Sequence, residues 1–420
     1  MTIPAVGIEA MNVYAGVARI PVAEIFTGRG LDPSRLKNLM MTDKSVGLPC
    51  EDPVTNAVNA ARPLIDQLPA ADRGRIEVLV TSTESGVDFS KSVASYVHEY
   101  LGLSRRCRLI EVKQACYGAT AAAQLAAGYL VSGMSHGAKV LVIATDISLV
   151  DDRSGYTEPA MGFGAAALLI GTEPRVLTLD LGAFGTYSYE TMDSARPAPT
   201  FDVAAADRSL FTYLDCLDNC FRAYQDRVDS ADFGQTFDYL AFHTPFAGMV
   251  RAAHRKMMRD HARGADSAAD FEQRVGPSLY YPSRIGNLCS GSVYTALASV
   301  IDNAEIDDGA RVGMYSYGSG CSSEFFSGVV DAASREAIRE MRISERLDRR
   351  VTLQFDEYTR LLEGSLSCLV PDRNRTIDSE PFLPLYAKSG ERQDLLMWTG
   401  TKDYHRTYDW ISTPGGTDDD

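Results

Sequence analysis

No apolar run in the 420-residue sequence approaches the roughly 20 residues that a membrane-spanning helix needs. The N-terminus (MTIPAVGIEA) lacks the basic start and long apolar stretch of a secretion signal, so a cytoplasmic protein is expected. The eight cysteines form no CxxC pair and no Cys/His cluster of zinc type, which gives no reason to expect a structural metal. Without an export signal, standing disulfides are not expected either. No GxGxxG follows an opening strand, no GxSxG elbow is present, and no short repeat or low-complexity linker interrupts the chain. A net charge of −15, from 41 Lys and Arg against 56 Asp and Glu, argues against nucleic-acid binding as the main task. It still allows a local basic patch.

Strand-like and helix-like segments alternate, which indicates an α/β protein. In residues 1–172, IEVLVTST reads as a buried strand ending near Glu84, and RLIEVKQA as another ending at Cys116. The Ala-rich CYGATAAAQLAAGYLVSG, apolar nearly all round, predicts a buried helix. KVLVIATDI and AAALLIG continue as strands. A second half, 173–412, opens near VLTLDLGAFG and holds FDYLAFHTPF, GNLCSGSVYTALASVI and RVGMYSYGSG; 413–420 reads as a tail. In both halves a strand leads through a polar loop to a helix rich in small residues. Cys216 and Cys220, four apart in a helical stretch, read as core packing or as surface thiols.

The polar residues at these strand ends are the candidates for chemistry. Cys116 stands where a strand gives way to a helix N-terminus, a place expected to lower a thiol pKa and to favour acyl transfer through a thioester. Glu84, beside a Gly bend in VTSTESG, could exchange protons with the α-carbon of such a thioester if a partly apolar pocket raised its pKa. His243 closes a third apolar strand and is a candidate acid/base group or carbonyl donor. Asn287 precedes the second small-residue helix, and Gly318 and Ser319 lie in YSYGSGC, whose glycines allow close backbone approach. Each position alone has an ordinary structural reading. Together they sit where layered α/β folds gather ligands.

Several ordered motifs carry a resemblance through most of the chain: TESGVDFSKS, EVKQACYGAT, ATDI…EPAMGFGAAALLIG, Asp193…RP, SLFTYLDCLDNCFRAY, FHTPF, GNLCSGSVYTALAS and YSYGSGCSSEFF. The chain resembles 3-hydroxy-3-methylglutaryl-CoA synthases among the thiolase-fold condensing enzymes. The resemblance implies a duplicated five-layered αβαβα architecture and a homodimer. It implies a catalytic set Glu84, Cys116 and His243: an acetyl group is taken onto Cys116, Glu84 helps remove a methyl proton, and the enolate attacks a β-ketone before hydrolysis. His243 would orient the acceptor thioester, with Asn287 and Ser319 in support. No permanently bound cofactor or metal is implied.

Two departures from the CoA-using pattern stand out. Gly248 occupies the place, two residues after Pro-Phe, where CoA-type enzymes carry Lys, and Ala160-Met161 replaces the usual Thr-Gln. RGLDPSRLKNLM, LPCEDPVTNAVNAA and HTPFAGMVRAAHRKMM look closest to the β-branching synthases of polyketide pathways. Those act on acyl groups held on acyl carrier proteins by phosphopantetheine, with an acetyl- or propionyl-carrier as donor and a β-ketoacyl-carrier as acceptor. Such partners need cations near the pocket mouth, and Arg35, Arg29, Arg251, Arg255 and Lys256 are the candidates. Asp202 is a candidate auxiliary acid. The rival readings are a CoA-dependent synthase, a decarboxylating ketosynthase using Cys116, His243 and Asn287, and a non-catalytic docking protein.

Overall fold

The computed structural model describes residues 4–148, 157–306, 309–391 and 393–412; the expected tail at 413–420 lies outside them. Eleven strands organise the site: β1 (Gly7–Tyr14), β2 (Ile76–Ser82), β3 (Arg108–Val112), β4 (Lys139–Ile147), β5 (Phe163–Gly171), β6 (Leu177–Ser188), β7 (Ser194–Ala198), β8 (Phe201–Ala204), β9 (Tyr239–Phe242), β10 (Ala310–Gly318) and β11 (Ser322–Val330). The helices that matter are α1 (Pro53–Gln67), α2 (Gly118–Val131), α3 (Ala206–Gln225), α4 (Ala247–His261) and α5 (Ser292–Asn303). No helix among the described residues is long and apolar enough to cross a membrane.

β4 and β5 are buried at every position, as expected for apolar strands covered on both faces. They lie in a nine-stranded sheet of order β9-β10-β11-β6-β1-β5-β4-β2-β3. The order conceals a repeat. In the first set, β2 and β4 are parallel, β4 and β5 antiparallel, and β5 and β1 antiparallel. The second set repeats the same relations in β9-β10, β10-β11 and β11-β6. The two sets join where Gly7 and Ile8 of β1 pair with Thr178 and Leu177 of β6. In each set one buried helix leads into the second strand: α2 into β4, and α5 into β10. The two helices touch through the Tyr294 hydroxyl, which donates to Thr120 Oγ1 at 3.3 Å.

Local chemistry explains the helix ends. Asp52 caps α1 by accepting from the backbone N–H groups of Val54 and Thr55, and Thr55 returns the bond to Asp52 N–H. α3 packs on β6 and β11, burying Cys216 and Cys220 completely in an aromatic cluster that includes Phe221, Tyr224, Phe237 and Phe325. Both cysteines are core residues there, which decides between the two readings their spacing left open.

Two expectations need correction. The strand before Cys116 stops at Val112, because residues 114–118 turn: Tyr117 N–H bonds Gln114 O at 3.0 Å, and Ala115 takes φ +43°. α2 is not buried all round, since its Leu125 is 71% exposed. One face of that helix reaches the surface.

Candidate active site

The Cys116 turn is held from the opposite half. A Cβ at Gly318, where β10 ends, would lie 2.5 Å from Gln114 O and 2.6 Å from Tyr117 N. Only glycine allows that approach. The loop beyond it is tied by fully buried Asp193, which accepts from the Tyr317 hydroxyl and from Gly320 N–H. Ser319 lies in this loop, half-buried, with no hydrogen bond to its side chain among the described residues.

Glu84 follows β2 and reaches the same turn. The Cys116 thiol donates to Glu84 Oε1 at 3.0 Å. Behind it lies Asp146 at the end of β4, 1% exposed, whose Oδ1 accepts from Glu84 N–H (2.8 Å), Thr83 Oγ1 (3.0 Å) and Ser85 Oγ (3.1 Å). Its Oδ2 is buried without a partner, and burial, then the Glu84 charge, push its carboxyl well above the usual carboxylate range. Arg196 on β7 closes the far side. It donates to Glu84 O (3.2 Å), Ser85 Oγ (2.8 Å) and Ile147 O (3.2 Å), and forms a two-point pair with Asp202 of β8 at 2.7 and 3.0 Å. Burial works against the Arg196 charge, but the Asp202 carboxylate outweighs it and raises its pKa. Asp202 is thus engaged through Arg196 as a positioning residue behind Glu84, in place of the expected auxiliary acid.

A second thiol completes this corner. Cys289, just ahead of α5, is 4% exposed, and its Sγ, Cys116 Sγ and a Glu84 oxygen lie within 4.8 Å of one another. Such a set could bridge a soft divalent cation, at the expense of the Cys116 thiol. The thiol pKa of Cys116 is not lowered as its place near a helix start suggested. A hydrogen bond with Cys289, burial and the Glu84 charge hold it well above the ordinary range. The weak field outside the helix end loses to direct neighbours. The thiol needs a base, and Glu84 is in contact with it.

His243 occupies in the second set the place that Glu84 occupies in the first, just past β9 as Glu84 is past β2. It is 2% exposed, and burial pushes its imidazole down to about 3, so the ring is neutral at any ordinary pH. Its backbone N–H donates to Tyr315 O and its carbonyl accepts from the Tyr213 hydroxyl, both at 2.7 Å. The Tyr317 ring lies 6.5 Å away, and Nδ1 is buried with no partner among the described residues. His243 and Cys116 therefore flank the same end of β10.

Asn287 is zipped by its backbone to the Ala160–Gly162 segment: its N–H donates to Ala160 O at 2.8 Å, and its carbonyl accepts from Gly162 N–H at 3.0 Å. Its Oδ1 accepts from Cys289 N–H (2.9 Å) and Ser292 Oγ (2.8 Å). That leaves Nδ2 without a protein acceptor among the described residues.

The basic candidates divide. Arg29 holds fully buried Glu158 through two bonds of 2.8 Å, so part of its guanidinium serves a structural clamp. Lys256 pairs with Asp260 at 3.1 Å. Arg251 and Arg255 are exposed on α4 and make no ion pair among the described residues. Arg35 is exposed beside the short helix Leu36–Leu39, which packs on α4. Gly248 makes that packing possible, since a Cβ there would fall 1.7 Å from Asn38 O. Sequence reasoning gave no role to Asp146, Arg196 or Cys289, although ATDI and GNLCSGS both carried the resemblance.

Comparison with known proteins agrees with this geometry. Residues 4–175 match the family model "hydroxymethylglutaryl-coenzyme A synthase N terminal" and residues 261–369 the corresponding C-terminal model. The chain is 47% identical over 418 residues to PksG, the polyketide biosynthesis 3-hydroxy-3-methylglutaryl-ACP synthase of Bacillus subtilis, covering 97% of this chain and 99% of that one. Hydroxymethylglutaryl-CoA synthase of Enterococcus faecalis is 30% identical, with 89% and 95% covered. The solved HMG synthase of the curacin pathway, in complex with acetyl donor-ACP, superposes with a TM-score of 0.93 at 46% identity, covering 97% of this chain and 100% of that one. From these matches and the duplicated sheet around Glu84 and Cys116, the chain belongs to the hydroxymethylglutaryl-CoA synthase family of acyl-transferring, carbon–carbon bond-forming enzymes and carries their thiolase-like fold.

Proposed function

We propose that the protein is a carrier-protein-dependent HMG synthase that installs a β-branch on a polyketide intermediate. Cys116 accepts an acetyl group from the phosphopantetheine arm of a donor acyl carrier protein. Glu84, in contact with the thiol at 3.0 Å, takes the thiol proton during acylation and passes it to the departing phosphopantetheine sulfur, which leaves as a thiol. The same carboxylate then removes a proton from the acetyl methyl, and the enolate attacks the β-ketone of an acceptor β-ketoacyl-carrier. Water releases the product by hydrolysis of the Cys116 thioester. Neutral His243 holds the acceptor, donating from one ring nitrogen, and Asn287 Nδ2 and the Gly318–Ser319 backbone are the remaining donors for thioester oxygens.

The Glu84–Cys116 contact carries the reading. A decarboxylating ketosynthase obtains its carbanion by losing carbon dioxide and needs no carboxylate beside the thiol. Carrier use in place of CoA is supported by the 47% identity to PksG, by the likeness to the curacin synthase solved with its donor-ACP, and by unpaired Arg251 and Arg255. The division into halves 1–172 and 173–412 is part of this reading. So is a homodimer, because edge strand β3 exposes Leu109 and Ile110. The cytoplasm, which keeps eight unpaired cysteines reduced, is the compartment it fits.

Intact-mass spectrometry tests it. Acetyl transfer to Cys116 from an acetyl-carrier protein, absent in Cys116→Ser, is the expected result. Labelling by acetyl-CoA alone would overturn carrier dependence, and no labelling by any thioester would overturn the enzymatic role.

A further inference from the structure

Cys116 and Cys289 are counterparts in the two halves. Each opens a Cys-x-Gly triplet, Cys116-Tyr-Gly118 and Cys289-Ser-Gly291, that leads into the helix preceding an equivalent strand. A non-glycine residue takes the left-handed region at each turn, Ala115 just before the first triplet at φ +43° and Cys289 opening the second at φ +48°. The tips of the triplets are pinned together, since Ser82 Oγ and Ser290 Oγ bond at 2.9 Å and Gly118 packs on Ser82. The duplicated fold therefore delivers two thiols to one point, beside one carboxylate.

We infer that Cys116 and Cys289 form a reversible oxidative modification site for hydroperoxides, with Cys289 as the resolving thiol. In the first step Glu84 takes the Cys116 proton, the sulfur attacks a peroxide oxygen, and the O–O bond breaks to give a sulfenic acid and water. In the second, Cys289 Sγ attacks the Cys116 sulfur, the S–O bond breaks, and the hydroxyl leaves as water with the Cys289 proton. The balance is two thiols and one hydrogen peroxide to one disulfide and two waters. Two electrons pass from sulfur to oxygen, and a dithiol reverses the change.

The surroundings assign the roles. Cys116 is half-buried where Cys289 is fully buried, and it is in contact with a base, so it meets peroxide first. Cys289 is buried beside Ser148 Oγ at 3.7 Å. Although the bond with Cys116 lowers its pKa, burial pushes its thiol up to about 12. It is inert until an electrophilic sulfur forms beside it. The disulfide would stop the nucleophile short of irreversible sulfinic acid. A second pair, Cys216 and Cys321 with sulfurs 3.5 Å apart, is buried behind α3 and lacks a carboxylate partner, which makes it an internal control.

The test is hydrogen peroxide treatment of the full-length protein, followed by intact mass and peptide mapping. These readouts do not depend on acylation, so failure here is separable from failure of the proposed function. Expected are a loss of about 2 Da, a linked Cys116–Cys289 peptide, and recovery of both thiols with dithiothreitol. Cys289→Ser should instead gain about 32 Da on Cys116, with no recovery. A linked peptide joining Cys216 to Cys321 alone, or dithiothreitol recovery of Cys116 in Cys289→Ser equal to that of the parent, would overturn the assignment.

Discussion

The Cys116 thiol donates to the Glu84 carboxylate at 3.0 Å, in a corner where every neighbour disfavours a free thiolate. Nucleophile and base therefore act as a unit. Glu84→Gln keeps the shape and removes the base. Carbon–carbon bond formation should fall about 10²- to 10⁴-fold, with slower acylation and an acetyl-Cys116 species that persists. Quench-flow intact mass alongside product analysis checks this; an unchanged condensation rate would remove Glu84 from the mechanism.

Arg196 and Asp202 form a mostly buried pair behind Glu84, with side chains 9% and 18% exposed. Arg196→Ala leaves a mostly buried Asp202 without its cation and should cost about 3 kcal/mol in urea unfolding. The same change frees the Glu84 backbone, so kcat should drop further than folding loss explains. The double variant Arg196→Met/Asp202→Leu should regain much of the stability but little of the rate.

Glu51 gives a pH signature away from the site. Burial pushes its carboxyl up to about 7, against backbone and Tyr14 hydrogen bonds that lower it. The folded chain thus holds a proton that the unfolded chain releases near 4.3. The contribution to stability is full below that value and is lost as pH rises through about 7. Glu51→Gln cannot ionise, so it should be more stable than the parent above pH 8, by on the order of 2 kcal/mol, and close to it at pH 4. Parallel thermal melts decide the sign.

Gly248→Ala pits two effects against each other. Helix propensity favours Ala by about 1 kcal/mol. A Cβ placed 1.7 Å from the Asn38 backbone oxygen needs the Leu36–Leu39 helix to move, at about 1–3 kcal/mol. The clash should win. The melting temperature should fall, and the KM for carrier protein should rise as Arg35 shifts with that helix.

Arg251→Glu and Arg255→Glu, on the exposed face of α4, should raise the KM for acyl-carrier protein about tenfold with kcat nearly unchanged. A short acyl-pantetheine thioester, lacking the carrier's acidic surface, should show no such change. Added salt should narrow the gap between variants and parent.

Most strands were legible because apolar runs and small-residue helices are local patterns, and Glu84 and His243 each follow such a run; the turn at 114–118 was not, since the run before Cys116 reads on as strand past Val112. What escaped were long-range consequences. The Cys116 pKa is set by Cys289, delivered from the other half by the fold. Arg29 reads as a surface cation, yet Glu158 and the Phe355 ring hold it in place. Asp146, inside the strand-like KVLVIATDI, and Arg196, in the Asp193…RP stretch, were given no role, and only the crowding behind Glu84 gives them a task. Spacing along a chain reports the partner of none of these.

The repeated strand order β2-β4-β5-β1 and β9-β10-β11-β6 has one more consequence. Two residues of the reactive corner have twins built on the same frame: Glu84 answers to His243, and Cys116 to Cys289. The molecule thus supplies its own reference state. Exchanging twins, residue for residue, separates what the scaffold demands from what the chemistry demands, with no second protein needed for comparison.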